Sequence, residues 1–292
     1  MADLSELTTV NGTASDLREI TIPAGTLRYY DLGDGPPLLF LHGSGPGVTG
    51  WRNFRGILPA FAQDFRCLIL EFPGFGVSDD FAGHPIVTAQ NVVAPFLDRL
   101  DVDRVDIVGN SMGGGVGITF AIDHPARIRR LVTIGGIGTN IFSPGPSEGI
   151  RLLQEFTENP TRQRLVDWLH SMVFDPSVVT DELIDERWAL ATDPETLAAA
   201  RRMYGKAAFA AMMEMMKTAD VPMPWAQMHK VVARTLLTWG RDDRVSPLDM
   251  ALIPMRTIPH AELHVFPNCG HWAMIEAKAA FESTVLAFLT RA

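Results

Sequence analysis

The chain has 292 residues, 47% of them apolar and 20% charged, a globular composition that excludes disorder as the main state, and at this size roughly 75% of the unfolded surface is buried on folding. The 25 Lys and Arg against 34 Asp and Glu leave a net charge of −9, which repels nucleic acid and anionic membrane and excludes a phosphate-tracking role. Two cysteines, Cys67 and Cys269, cannot form a disulfide framework; with no signal-peptide pattern at Met1 to Glu6 and no apolar run near ~18 residues, a soluble cytoplasmic protein is expected.

Arg18 to Ile22 and Leu27 to Tyr30 flank Pro23-Ala24-Gly25 and predict a hairpin. Continuous apolar runs follow at Leu38 to Leu41, Cys67 to Leu70, Val105 to Val108, Leu131 to Ile134, Thr235 to Trp239 and Glu262 to Val265, as expected of buried parallel strands. Helical spacing over Thr88 to Leu100, Met112 to Ile122, Leu248 to Thr257 and Trp272 to Leu289 makes the chain an alternating α/β array. Pro95 disagrees, because inside a helix it costs ~3 kcal/mol unless the helix kinks or starts later. The alternation stops near Phe142 and resumes after Trp225, which predicts an all-helical insertion. Inside it, Phe209, Met212, Met213 and Met216 form one apolar stripe, suited to packing or to an adaptable substrate wall.

Gly109-Asn110-Ser111-Met112-Gly113 lies between a predicted strand and a predicted helix, the context that G-x-S-x-G requires. A serine on such a sharp turn needs small residues two positions to either side. The turn also leaves the Met112 N–H free at a helix N-terminus, facing a developing oxyanion. A hydroxyl is inert without a base, and the base needs an acid to hold its tautomer. Gly240-Arg241-Asp242-Asp243 and Cys269-Gly270-His271-Trp272 supply these in the order serine, acid, histidine; spacing alone does not separate Asp242 from Asp243. His260 and His264 have no Cys or carboxylate cluster beside them, so no metal site is expected. His42-Gly43-Ser44-Gly45-Pro46-Gly47 follows a strand. Its extension to Gly50 matches G-x-G-x-x-G, with Glu71 some 20 residues on. However, Pro46 removes an N–H that a pyrophosphate would need, and a second oxyanion donor from Ser44 or Gly43 explains the loop better.

With these motifs the chain resembles the α/β-hydrolase fold and, more narrowly, the meta-cleavage product hydrolases, which cut a carbon–carbon bond in ring-fission products of aromatic and steroid breakdown. The narrower signals are His42 to Gly47 continuing to Trp51-Arg52-Asn53, then Gly109 to Gly114, Trp239 to Asp243, and Cys269 to Trp272. The resemblance implies a mostly parallel eight-stranded sheet flanked by helices, with a core over 1–141 and 226–292 and a helical lid over 142–225. It implies Ser111, Asp243 and His271 as the triad, with Ser44, Met112 and Gly43 around the oxyanion. It places Asn53, Asn110, Arg187 and Trp272 at the substrate, with Arg187 anchoring a carboxylate. No cofactor and a homodimer or larger assembly are further implications. Glu71 stands where an aspartate is usual, an exchange expected to affect only its own loop.

Arg187 can also be read without the resemblance. Its helical neighbours Leu183, Ile184, Leu190 and Ala191 put it on an apolar face with no acid at i±3 or i±4, so it needs an anionic ligand, a distant acid or a place at the helix edge. Asn53 has an alternative reading as a helix N-cap. The expected reaction is serine-dependent cleavage of a 2-hydroxy-6-oxo-hexa-2,4-dienoate to 2-hydroxypenta-2,4-dienoate and a carboxylic acid. The alternatives are a carboxylesterase-type serine hydrolase, which needs no anion anchor, and a small-molecule receptor that retains the triad.

Overall fold

The predicted hairpin and the six apolar runs become eight strands of one sheet: β1 (Leu17–Ile22), β2 (Gly25–Leu32), β3 (Pro37–Leu41), β4 (Arg66–Glu71), β5 (Val105–Asn110), β6 (Ile128–Ile134), β7 (Arg234–Gly240) and β8 (Ala261–Phe266). The computed structural model describes residues 17–75, 77–143, 145–218 and 224–291. Strand order is β1-β2-β4-β3-β5-β6-β7-β8; β2 runs antiparallel to β1 and β4, and every other pairing is parallel. The central strands read as unbroken apolar runs because both faces are covered. Leu38 and Phe40 of β3 join one core and Leu39 and Leu41 the other.

On one side lie α1 (Gly50–Phe54) and α2 (Leu58–Phe61), and on the other α3 (Pro85–Arg99) and α4 (Met112–Asp123). Helix α3 begins three residues before its predicted start, with Pro85 in its first turn and the His84 ring accepting from the Ile86 N–H. Pro95 does lie within it. The carbonyl it cannot meet belongs to Asn91, an exposed residue, so water can take the bond that is lost.

Between β6 and β7 the described residues form five α-helices: α5 (Glu148–Glu158), α6 (Arg162–Met172), α7 (Asp181–Ala191), α8 (Pro194–Tyr204) and α9 (Lys206–Thr218). The side chains of Thr161, Thr180 and Asp193 cap α6, α7 and α8. Leu153, Phe156, Leu165, Trp168 and Ile184 carry the core on from the sheet into this insertion. The Met212, Met213 and Met216 side chains lie outside the described residues.

After β7 the segment predicted as one helix is a 3-10 turn, Leu248–Ala251, followed by α10 (Leu252–Thr257). The segment after β8 is likewise two helices, α11 (Ala273–Glu276) and α12 (Lys278–Thr290). Glu276 accepts from the N–H groups of Gly270, Phe174 and Asp175, so the first turn serves the loop carrying His271 instead of running into α12. Leu41 of β3 lies opposite Gly109 of β5, and Gly240 of β7 opposite Phe266 of β8. The motif loops therefore open in adjacent pairs at the carboxyl ends of the strands, where ligands bind in open parallel sheets.

Candidate active site

The turn from β5 to α4 holds Ser111 at φ 52°, ψ −115°, a backbone that L side chains rarely adopt. The flanking glycines are sterically required. A Cβ on Gly113 would lie 2.0 Å from the Leu41 carbonyl oxygen, and one on Gly109 would lie 2.4 Å from that of Gly113. Gly136, at φ +73°, packs its backbone against Ser111, where a Cβ would meet the serine Cα at 2.3 Å.

His271 Nδ1 lies 2.7 Å from Asp243 Oδ2, and both residues are buried. The second oxygen, Oδ1, accepts from the N–H groups of Val245 and Ser246 at 2.8 Å, which fixes the carboxylate. Asp242, the other acid the spacing allowed, faces away: its Oδ2 accepts from Cys269 N–H at 3.3 Å and its N–H donates to Cys269 O. It holds the two loops together. Gly240 and Gly270 let those loops touch backbone to backbone, since a Cβ on Gly240 would meet the Gly270 oxygen at 1.9 Å. Backbone N–H of His271 donates to Met172 O of α6 at 2.7 Å, tying the histidine to the insertion.

In the loop after β3, His42 Nε2 accepts from Phe72 N–H, so the proton sits on Nδ1 and donates to Gly43 O at 2.6 Å. Burial, with Arg187 nearby, lowers the His42 pKa to about 4. Gly43 N–H donates to Asn53 Oδ1 at 3.0 Å. This corrects the expectation for Gly43: its donor is already taken, and Ser44 N–H and Met112 N–H are the two that remain. Asn53 is inside α1, whose N-cap is Thr49, so the capping alternative for Asn53 also fails. Asn110 donates its amide to Ile134 O at 3.1 Å.

A narrow cleft of about 30 Å³ runs between these loops and the insertion, lined by Gly43, Ser44, Asn110, Ser111, Trp168, Arg187, Tyr204, His271 and Trp272 among others. Arg187 is 4% exposed. It donates to the Pro46 carbonyl at 3.2 Å and lies over the Trp272 ring at 5.4 Å, and its Nε has no partner. Burial, with Arg52 nearby, lowers its pKa to about 9. Its 4% exposure rules out the helix-edge alternative, and among the described residues no carboxylate is paired with it. On the other side of Ser111 a wider chamber of about 540 Å³ is walled by Ile118, Ile137, Met203, Phe209, Met228 and Met250.

Residues 36–278 match the model of the α/β-hydrolase fold family. The chain is 36% identical, over 99% of both chains, to a 2-hydroxy-6-oxo-6-phenylhexa-2,4-dienoate hydrolase of Burkholderia cepacia. It shares the same identity and coverage with a 2-hydroxy-6-oxononadienedioate/2-hydroxy-6-oxononatrienedioate hydrolase of Comamonas testosteroni. The meta-cleavage product hydrolase CumD of Pseudomonas fluorescens IP01 superposes with a TM-score of 0.83 at 28% identity, covering 93% of this chain and 97% of that one. The chain belongs to the meta-cleavage product hydrolases. It is a hydrolase acting on carbon–carbon bonds.

Two features of this hydrolase were not visible in its sequence. Tyr204, at the end of α8, places its hydroxyl 2.5 Å from Ser44 Oγ; no motif surrounds it. Glu71, expected to matter only to its own loop, reaches across to accept from Gly50 and Trp51 N–H at 2.6 and 2.8 Å, at the start of α1.

Proposed function

We propose that this hydrolase cleaves a 2-hydroxy-6-oxo-hexa-2,4-dienoate between C5 and C6. The observation that carries the reading is Arg187, a buried guanidinium in the cleft wall with no carboxylate paired to it among the described residues. A buried cation of this kind is stable only with an anion beside it, and the dienoate carboxylate supplies one. A plain ester has no group to meet it, so the arginine favours the dienoate over the carboxylesterase reading.

With the carboxylate on Arg187, the dienol ketonises: the 2-hydroxyl proton is lost and C5 gains one, so that the C5 electron pair can later leave in conjugation with the 2-oxo group. His271, oriented by Asp243, takes the Ser111 proton as Oγ adds to C6. Ser44 and Met112 N–H groups face the oxyanion, each such donor being typically worth ~3 kcal/mol. The C5–C6 bond then breaks, and the proton on His271 goes to the leaving fragment, which departs as 2-hydroxypenta-2,4-dienoate. Water, deprotonated by His271, opens the acyl-serine and releases the carboxylic acid. One water is consumed and no redox change occurs. Asn110 and Trp272, both in the cleft lining, position the dienoate, and Asn53 acts behind them through its bond to the Gly43 N–H.

The C6 substituent lies in the wide chamber, whose described walls are largely apolar and carry no Lys or Arg. A neutral, bulky group suits it. A cytoplasmic homodimer serving the breakdown of aromatic compounds completes the proposal.

Stopped-flow absorbance tests the assignment. Wild type should bleach the dienoate chromophore within seconds, whereas Ser111→Ala should bind it with little loss of affinity and turn it over at least 1,000-fold more slowly. Turnover near wild type in Ser111→Ala would remove the serine from the mechanism.

A further inference from the structure

We propose that Tyr204 is a positioning residue for the oxyanion site: its bond to Ser44 leaves one hydroxyl proton of the pair directed at the substrate oxygen over Ser111. The inference rests on the functional reading above and adds a donor to it. Tyr204 OH and Ser44 Oγ are 2.5 Å apart, and each is the other's hydrogen-bond partner. Two hydroxyls carry two protons, and their mutual bond uses one. The second O–H points to some other acceptor, and none among the described residues takes it. Both residues line the cleft with Ser111, and Tyr204 also lines the wide chamber. The pair therefore stands where the two spaces meet, at the bond to be cut.

Burial pushes the Tyr204 hydroxyl up to about 12, so it keeps its proton throughout the neutral range. The segment that carries the side chain is held on both sides. Two residues before it, Arg202 holds both oxygens of Asp80 at 2.7 Å, reaching from α8 to the core. Two residues after it, Lys206 N–H donates to Glu158 Oε1 of α5 at 2.7 Å. A hydroxyl supplied by the insertion thus completes a loop supplied by the sheet, so the full donor set exists only when the insertion is seated on the core.

The test is a double-mutant cycle of Tyr204→Phe, Ser44→Ala and the double variant, with kcat and KM measured on a 6-phenyl dienoate and on p-nitrophenyl acetate, and Tm for each. Each single variant is expected to lose roughly tenfold in kcat with KM within twofold, and the double variant no more than the worse single, because the two hydroxyls act as one unit. A tyrosine that only packs would lower Tm and leave kcat intact. Single losses that multiply in the double variant, or a Tyr204→Phe kcat within twofold of wild type on both substrates, would overturn the proposal. Should Tyr204→Phe fold poorly, Ser44→Ala decides: a kcat within twofold of wild type refutes the role. If wild type turns over the ester but not the dienoate, the dienoate reading fails while the cycle on the ester still tests the pair.

Discussion

A guanidinium at 4% exposure must be neutralised, and among the described residues Arg187 has no paired carboxylate, with the Pro46 carbonyl, the Trp272 ring and the field of Glu186 alone to offset its charge. The substrate carboxylate is the missing half of that arrangement, and a charged hydrogen bond of this kind is worth ~1.5–3 kcal/mol. Arg187→Gln is expected to raise KM for dienoates by about 100-fold while leaving kcat/KM for p-nitrophenyl acetate within threefold; equal losses on both substrates would show that the arginine only supports the fold. This residue was legible as a candidate because its neighbours at helical spacing are apolar, while its 4% exposure decided between burial and the helix edge. Ser111 and His271 were legible because backbone contacts allow only glycine near them, which writes motifs into the chain. Asp243 was not separable from Asp242 by spacing. The choice between adjacent carboxylates depends on the turn of one loop, and the N–H groups of Val245 and Ser246 make it. Tyr204 left no trace for a related reason: its partner Ser44 lies 160 positions away, beyond any local pattern.

Helix α1 shows the same limit at the level of an element. With Asn53 as its N-cap the helix would begin at Phe54, but it begins at Gly50, and the carboxylate at its N-terminus comes from the end of β4. Burial raises the Glu71 pKa to about 7, while burial and Arg187 hold neighbouring His42, whose Nε2 is 4.0 Å from the Glu71 carboxylate, at about 4. The two groups act in opposite senses on stability. Glu71 contributes stability that is present below about 4.5 and lost as pH rises through 7. His42 contributes stability that is present above 6.5 and lost as pH falls through 4. Between pH 4.5 and 6.5 the folded protein holds a proton on Glu71 and the unfolded chain holds one on His42, so the slopes cancel. Glu71→Gln removes one side of this balance. Its unfolding free energy in urea is expected to fall relative to wild type by on the order of 2 kcal/mol between pH 6.5 and 4.5. A difference that stays constant over that range would show that the pair does not titrate as described. Gly50 and Trp51 lie some 20 positions from Glu71, beyond any local pattern, which is why the coupling was not legible in the sequence.

At the scale of the whole molecule, the alternation of apolar runs with helical segments predicted an α/β array, and the eight-stranded sheet with helices on both faces is one, although its strand order was not legible from the alternation. The internal space could not be read that way, because it depends on how α5 to α9 sit over the sheet. They leave two unequal spaces about Ser111: a cleft of about 30 Å³ holding Arg187 and a chamber of about 540 Å³ on the other side. The relatives differ in what their substrates would put in such a chamber. The Burkholderia cepacia hydrolase is named for a 6-phenyl dienoate and the Comamonas testosteroni one for a dienedioate, which carries a second carboxylate. A carboxylate taken from water into apolar walls without a cation is strongly disfavoured, and no Lys or Arg among the described residues lines the chamber. A phenyl group gains by burial in the same place, since Phe209, Met203 and Met228 offer aromatic and thioether contacts. The expected outcome is a kcat/KM at least 10-fold higher for 2-hydroxy-6-oxo-6-phenylhexa-2,4-dienoate than for 2-hydroxy-6-oxononadienedioate, with most of the difference in KM. Comparable or better turnover of the dienedioate would mean that the second carboxylate finds a cation after all, and the apolar assignment of the chamber would fall while that of Arg187 stood.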